Sequence, residues 1–292
     1  MIDQNHLING KIILVTGATG GIGEWTANKL AAHGAQVIIH GRTPERCDAA
    51  VTRVRQWSGN PKVEFLAADL SIQAEVRRLA QEFRQRYKRL DVLVNNAGAF
   101  FLRRQYSVDG IEMTLAVNHL SYFLLTLELL DVLKASAPAR IVNVASNSHW
   151  RQRLNFEHLD GGWFYQGWKA YGQSKLANIL FTYELAQRLE NETAPARVTV
   201  NALHPGFVAT NIGKNNGLLA QWFVHVFQRN ALTPEQGAET SIYLASSPEV
   251  EGVSAKYFVD KREVPSSPES YDREAATQLW QVSEGLTGKV YE

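Results

Sequence analysis

Tyr171 and Lys175 lie four residues apart in the stretch Tyr171-Gly-Gln-Ser-Lys175. On a helix, positions i and i+4 share a face, so a phenol and an ammonium at this spacing can act on one site. An unperturbed tyrosine ionises near ~10 and is a poor base at neutral pH; a neighbouring positive charge favours the phenolate and brings it toward working range. The spacing alone recurs by chance in many chains. Here it opens a predicted helix over 170–191 and follows a predicted strand ending in Ala145-Ser146. The chemistry such a pair offers is general acid–base transfer of a proton.

A second constellation lies near the N-terminus, where the apolar run Ile12 to Val15 is followed by Thr16-Gly-Ala-Thr-Gly-Gly-Ile-Gly23. Glycines at 17, 21 and 23 let a chain turn tightly, approach a pyrophosphate and seat a helix start beneath it. The free N–H groups and positive dipole end of a helix over 22–33 favour phosphate; the alternative is a tight turn without a ligand. A dinucleotide site for NAD(H) usually presents a carboxylate about 20 residues after the glycines. This chain has His40-Gly41-Arg42 there, with a guanidinium fork suited to a 2′-phosphate, so NADP(H) is expected over NAD(H). Arg42 as a solvated surface charge is the alternative. A cationic nicotinamide ring would add to the ammonium in favouring the Tyr171 phenolate.

The elements that must position these residues alternate along the chain. Predicted strands are 11–16, 36–40, 62–67, 90–95, 140–145, 197–203 and 256–259; predicted helices are 22–33, 44–57, 72–87, 109–134, 170–191, 234–246 and 272–284. Thr43-Pro44 and Thr233-Pro-Glu-Gln236 supply helix-start signals. Continuous apolar strands separated by helices predict right-handed βαβ units and a doubly wound parallel α/β sheet of about seven strands, with helices on both faces. In such a sheet ligands sit beyond the carboxyl ends of the strands. The 292 residues carry no linker-like stretch and no internal repeat, so one domain over 1–292 is expected.

Composition narrows the function classes. An apolar fraction of 45% supports a sizeable core, and 30 Lys+Arg against 29 Asp+Glu argue against a nucleic-acid-binding face. The single Cys47 excludes a disulfide within the chain and a cysteine metal cluster, and fits a reducing, cytoplasmic compartment. The first residues show no basic leader or membrane anchor, and the apolar stretch Leu120 to Leu133, interrupted by Glu128 and Asp131, reads as a buried helix.

The chain resembles the short-chain dehydrogenase/reductase family, in its retinol-dehydrogenase-like branch. The resemblance rests on T-G-x-x-x-G-I-G at 16–23, Asp69-Leu70, N-N-A-G at 95–98, Val117-Asn118-His119, Ser146, Tyr171-x-x-x-Lys175 with Asn178 following, and His204-Pro-Gly206 through Thr210. It implies that Tyr171 is the general acid/base, that Lys175 lowers its pKa and bonds the nicotinamide ribose, and that Ser146 holds the substrate oxygen. Asn118 would hold a water relaying protons toward Lys175, with a satisfied buried amide as its alternative. Ser146 has a rival in Ser148 and could instead close a strand end. The dinucleotide would be held by Gly17, Thr19, Gly21, Ile22, Gly23, Arg42, Asp69 at the adenine amine, Leu70, Asn95, Ala97 and Gly98 on the ribose side, Tyr171, Lys175, Pro205, Gly206, and Val208 with Thr210 at the carboxamide. Two departures stand out: Ala145 replaces a second serine frequent in the family, and the 25 residues from Ser146 to Tyr171 exceed the spacing of many members, though not of this branch.

These features predict an NADP(H)-dependent oxidoreductase that interconverts a small hydrophobic ketone or aldehyde with its alcohol. The insert at 147–170 holds Trp150, Phe156, Trp163, Phe164, Tyr165 and Trp168, and the stripe Leu218, Leu219, Trp222, Phe223, Val226 and Phe227 suggests a substrate lid over 207–232. The alternative partner for that stripe is the body of the protein or a second subunit, which leaves a homo-oligomer open. No metal is expected, because His119, His149 and His204 do not form a ligand-spaced set. The competing readings are a catalytically silent NADP-binding redox sensor and a C=C reductase on the same fold.

Overall fold

A computed structural model describes residues 8–193, 197–208 and 231–291. Its centre is one sheet of eight strands: β1 (Ile12–Val15), β2 (Gln36–Gly41), β3 (Val63–Ala67), β4 (Val92–Asn95), β5 (Ala139–Val144), β6 (Val198–His204), β7 (Lys256–Val259) and β8 (Arg262–Glu263). They are ordered β3-β2-β1-β4-β5-β6-β7-β8, parallel from β3 to β7, with β8 antiparallel at the edge. The strand order reverses between β1 and β4, which opens a crevice at their carboxyl ends. The seven predicted strands are present. The eighth is an exposed, charged two-residue pairing, too short to leave a periodic signal in the sequence.

The central strands form where apolar, mostly β-branched residues are sealed on both faces: Ile13, Leu14 and Val15 are fully buried. One face carries α1 (Gly21–Ala32), α2 (Pro44–Ser58) and α6 (Pro234–Ser246), packed over Ile13, Val15, Val37 and Ile39. The other carries α3 (Gln73–Arg86), α4 (Met113–Ala135) and α5 (Gly167–Glu190), packed over Leu14, Ile38, Leu93 and Ile141. Thr233 and Gln236 complete a reciprocal capping box at α6. Thr43 and Pro44 take the predicted places at α2, although no side chain caps that helix.

Helix α4 starts at Met113, later than the predicted 109, because the buried Glu112 carboxylate accepts from the N–H groups of Thr114 and Leu115 and sets the first turn there. By length and hydropathy α4 could cross a membrane, but 89% of its most apolar window is buried inside the fold. A last helix, α7 (Arg273–Thr287), lies across α5. Its Trp280 ring packs 5.1 Å from Phe123 and 5.9 Å from Phe181, and its Leu279 joins Leu176 and Leu180.

Candidate active site

Asn118 sits inside a π-helical turn, Ala116–Leu120, that interrupts α4. Such a turn holds one residue more than an α turn and frequently marks a functional position. The Asn118 side chain is fully buried. Its Oδ1 accepts from the Ala99 N–H at 2.7 Å, and its Nδ2 donates to the Ala99 carbonyl at 2.9 Å and to Ser174 Oγ at 3.0 Å. Ser174 Oγ in turn donates to the Tyr171 carbonyl at 2.7 Å. The amide therefore ties the segment after β4 to the helix that carries Tyr171. Both of its N–H groups are spent on protein, as the satisfied-amide alternative anticipates.

Ser146 follows β5 and turns the chain into Asn147–His149, its Oγ accepting from the Ser148 N–H at 3.2 Å. The same hydroxyl acts on the phenol of Tyr171 in the direction that favours its phenolate. Ser148 stands behind it, 3.2 Å from Ser146 Oγ. Tyr171 is half-buried, and Phe100 meets its ring edge-on at 5.8 Å.

Lys175 is 3% exposed and donates from Nζ to the Val144 carbonyl at 3.0 Å. Its ammonium stands 5.5 Å from the Tyr171 ring centroid and 5.9 Å from that of Tyr122, whose hydroxyl donates to the Ala97 carbonyl at 2.7 Å. Burial pushes the Tyr171 phenol up to about 12, against the opposing pull of Ser146, and burial brings Lys175 down to about 7. Desolvation of each charged form is the largest cause of both shifts. In the protein alone, the lysine does not make the tyrosine acidic.

The glycine turn rises from β1 directly beneath the segment after β4. Gly17 has φ +65°, and a Cβ there would lie 2.7 Å from Ala97 Cα. The first N–H groups of α1 receive no side-chain cap. Glu24, in its first turn, is neutralised by Arg53, whose Nε donates to the carboxylate at 2.7 Å and whose Nη2 donates to the Thr19 carbonyl at 3.4 Å. An uncapped helix start with its acidic neighbour cancelled suits phosphate. Ile22 of this turn and Val208 after β6 converge on Gly237, where a Cβ would lie 3.2 Å from Ile22 Cγ1 and 3.1 Å from Val208 Cγ1. Arg42 lies at the end of β2 with its Nε 3.7 Å from Asp69 Oδ2, its side chain 56% exposed. Asp69 Oδ1 accepts from the Ser71 N–H and hydroxyl at 2.9 and 2.8 Å, leaving the carboxylate aimed beside the guanidinium. Gly98 lies between the two centres, where a Cβ would be 3.5 Å from Lys175 Nζ and 3.7 Å from Asn118 Oδ1. These residues fit a nicotinamide dinucleotide laid along the carboxyl ends of the strands.

Not every expected residue faces the crevice. Asn95 is fully buried; its Nδ2 donates to Thr126 Oγ1 at 3.0 Å and to Asn143 Oδ1 at 2.9 Å, so it braces the sheet rather than a ribose. Leu70 belongs to the core, and Pro205 and Gly206 close β6. Thr210 and the stripe from Leu218 to Phe227 lie outside the described residues. The three singled-out histidines have protein partners: His119 Nε2 meets Ser283 Oγ at 3.0 Å, His149 lies between the Ser146 carbonyl and the Ser267 N–H, and His204 Nδ1 accepts from the Asn147 N–H at 3.3 Å.

The aromatic insert divides by role. Phe156 packs toward α5 and α7, whereas Trp168 lies 4.3 Å from Phe100, making a file of rings Trp168–Phe100–Tyr171 that leads to the phenol. Tyr165 fastens the insert: its hydroxyl lies 3.0 Å from Glu112 Oε1 and 3.2 Å from the Phe101 carbonyl. Sequence reading missed the supporting residues Ser174, Arg53, Glu112 and His40. Their only sequence signal is that each adjoins or sits near a motif; the contacts themselves are long-range.

Comparison with known proteins agrees with this geometry. The family profile described as short chain dehydrogenase matches residues 11–218. Retinol dehydrogenase 14 of Homo sapiens is 43% identical over 298 residues, covering 97% of this chain and 88% of that protein. Retinol dehydrogenase 13 of Mus musculus is 41% identical over 293 residues, covering 96% and 85%. Among solved structures, an uncharacterized protein from Mycobacterium paratuberculosis superposes with a TM-score of 0.80 at 32% identity, over 98% of this chain and 97% of that one. The Pseudomonas aeruginosa RhlG/NADP active-site complex superposes at 0.69 with 30% identity, over 88% and 97%.

Proposed function

We propose that this chain, which belongs to the short-chain dehydrogenase family and is an oxidoreductase of alcohols and carbonyls, works with NADP(H) on a hydrophobic substrate. The observation that carries the reading is the buried Lys175 ammonium 5.5 Å from the centre of the Tyr171 ring, at the end of the Trp168–Phe100 file, with Ser146 acting on the same phenol. A bound nicotinamide dinucleotide supplies or takes up the hydride, and in its oxidised form adds a positive charge near the phenol.

In the reducing direction, Tyr171 donates its phenolic proton to the carbonyl oxygen of the substrate as negative charge develops there. A phenol held near 12 is a competent donor at neutral pH, because it stays protonated until the oxygen demands the proton. Ser146 donates a second hydrogen bond to that oxygen and fixes its position against Tyr171. In the oxidising direction Tyr171 must accept the alcohol proton. Ser146 then eases formation of the phenolate, and Lys175, at about 7, can hold or release a proton under the ring. Asn118 keeps Ala99 and Ser174 in register, so the ribose-facing Gly98 and the phenol stay aligned.

Arg42, exposed and beside Asp69, supports NADP(H) by offering its fork to a 2′-phosphate. The NADP in the RhlG complex and the apolar alcohol in the name of retinol dehydrogenase 14 point the same way. The test is a panel of carbonyls and alcohols, from short and polar to long-chain or aromatic, assayed with NADPH and NADH by the absorbance of the reduced ring. Turnover should be best with NADPH and the apolar members. Equal rates across the panel overturn the hydrophobic substrate, and no turnover with either cofactor overturns the enzyme itself.

A further inference from the structure

His40 ends up enclosed at the carboxyl end of β2, 3% exposed, with both ring nitrogens engaged. Nδ1 lies 3.3 Å from the Gly17 N–H, and Nε2 lies 3.1 Å from the Ala68 carbonyl. A carbonyl can only accept, so Nε2 carries the proton and Nδ1 is left to accept from Gly17: a neutral ring in one tautomer. The backbone repeats the pattern. The His40 carbonyl accepts from the Ala18 N–H at 2.9 Å, and the next carbonyl, Gly41, accepts from the Ala68 N–H at 3.0 Å. Burial, opposed by Asp69 and the Ala68 bond, keeps the ring neutral down to about 4. One residue thus joins the glycine turn after β1, the segment leading to Asp69 after β3, and Arg42 two positions on, just past the end of β2.

We propose that His40 is a positioning residue for the adenosine half of the dinucleotide. Gly17 has the backbone freedom of a glycine at φ +65° and would sample other peptide orientations if its N–H had no fixed acceptor. The imidazole supplies that acceptor and at the same time anchors the approach to Asp69, so the groups that would meet pyrophosphate, 2′-phosphate and adenine are ordered before the ligand arrives. Pre-ordering appears in affinity, because less conformational freedom is lost on binding. This inference rests on the reading of residues 17–23, Arg42 and Asp69 as the dinucleotide site.

Three substitutions separate positioning from packing. His40→Leu fills the space and removes both bonds. His40→Asn keeps an oxygen at the δ position that can accept from Gly17, and His40→Gln keeps an N–H at the ε position that can donate to Ala68. The probes are NADPH and 2′,5′-ADP, titrated by fluorescence or calorimetry, with melting temperature and steady-state kinetics alongside. His40→Leu should weaken both probes about tenfold or more, the loss expected for one unmet buried hydrogen bond. His40→Asn should return to within about threefold of the parent, and His40→Gln should not, with KM for NADPH rising far more than kcat falls. Parent-like affinity in His40→Leu overturns the proposal, as does an equal loss in Asn and Gln variants that tracks melting temperature. If His40→Leu does not fold, the Asn and Gln pair decides alone, equal affinities counting against it. A parent protein that binds neither probe instead sinks the dinucleotide reading beneath it.

Discussion

The ammonium of Lys175 lies 5.5 Å from the centre of the Tyr171 ring, and its hydrogen bond goes to the Val144 carbonyl. The two residues meet ring-to-cation rather than oxygen-to-nitrogen. A charge so enclosed is a cost to the folded state. Lys175 is drawn from 10.5 down to about 7 by burial. Its folded pKa is below its unfolded one, so the penalty is fully present below about 7 and disappears as pH rises toward 10.5. Lys175→Met should therefore melt a few degrees higher than the parent at pH 7, with the gap narrowing by pH 10, while turnover falls by about a hundredfold or more. Calorimetry across that range checks it; a variant less stable at pH 7 than at pH 10, relative to the parent, contradicts the burial cost.

Tyr171→Phe removes the proton donor and leaves the ring that meets Phe100 edge-to-face. Turnover should fall by about three orders of magnitude or more, with NADPH affinity within about twofold of the parent. Ser146→Ala should lose roughly a hundredfold, since it removes one hydrogen bond to the developing oxyanion. Single-turnover rates at saturating cofactor measure both. Retained turnover in Tyr171→Phe would remove the phenol from the chemistry.

Arg42→Asp would set a second carboxylate beside Asp69, 3.7 Å from where the guanidinium now lies. The Michaelis constant for NADPH should rise by tenfold or more, about the worth of one charge-assisted contact, and that for NADH should change little or improve. The ratio of the two constants is the readout. An equal change in both excludes Arg42 as the discriminator.

Acid should loosen the fold before most carboxylates protonate. Burial lowers His40, His119 and His204 from 6.5 to about 4 and lowers His149 in the same direction. Each folded pKa lies below its unfolded value, so stability is complete above about 6.5 and is lost as pH falls toward 4. For the fully enclosed His40 and His119 the loss is on the order of 3 kcal/mol each. Urea midpoints measured between pH 7 and pH 4 should decline across this window, and a flat profile would show that these rings protonate without penalty.

The order of elements was legible because each buried strand is a short continuous apolar run and each helix carries a longer period: Ile12 to Val15 can be little else between a turn and a glycine-rich helix start. The motif residues Ser146, Tyr171 and Lys175 were legible for the same reason, since strand and helix deliver them to one end of the sheet. The π turn at Asn118 was not, because the bonds that fill it reach Ala99 and Ser174, far apart in the chain. Asn95 was placed on the ribose side by the family resemblance alone; which way a strand-end side chain turns depends on Thr126 and Asn143 across the core. Spacing reports the proximity of Tyr171 and Lys175 and not the desolvation each undergoes.

Helix α7 carries Trp280 into a gap bounded by Phe123 and Phe181, and its Ser283 reaches His119, the neighbour of Asn118. That segment is synthesised after every strand of the sheet. Until it leaves the ribosome, the apolar flank of two central helices faces water and the turn beneath the catalytic groups lacks one of its supports. A nascent chain of this protein must therefore keep that flank shielded by other means and acquires its working geometry only after translation has run past the strands that carry it.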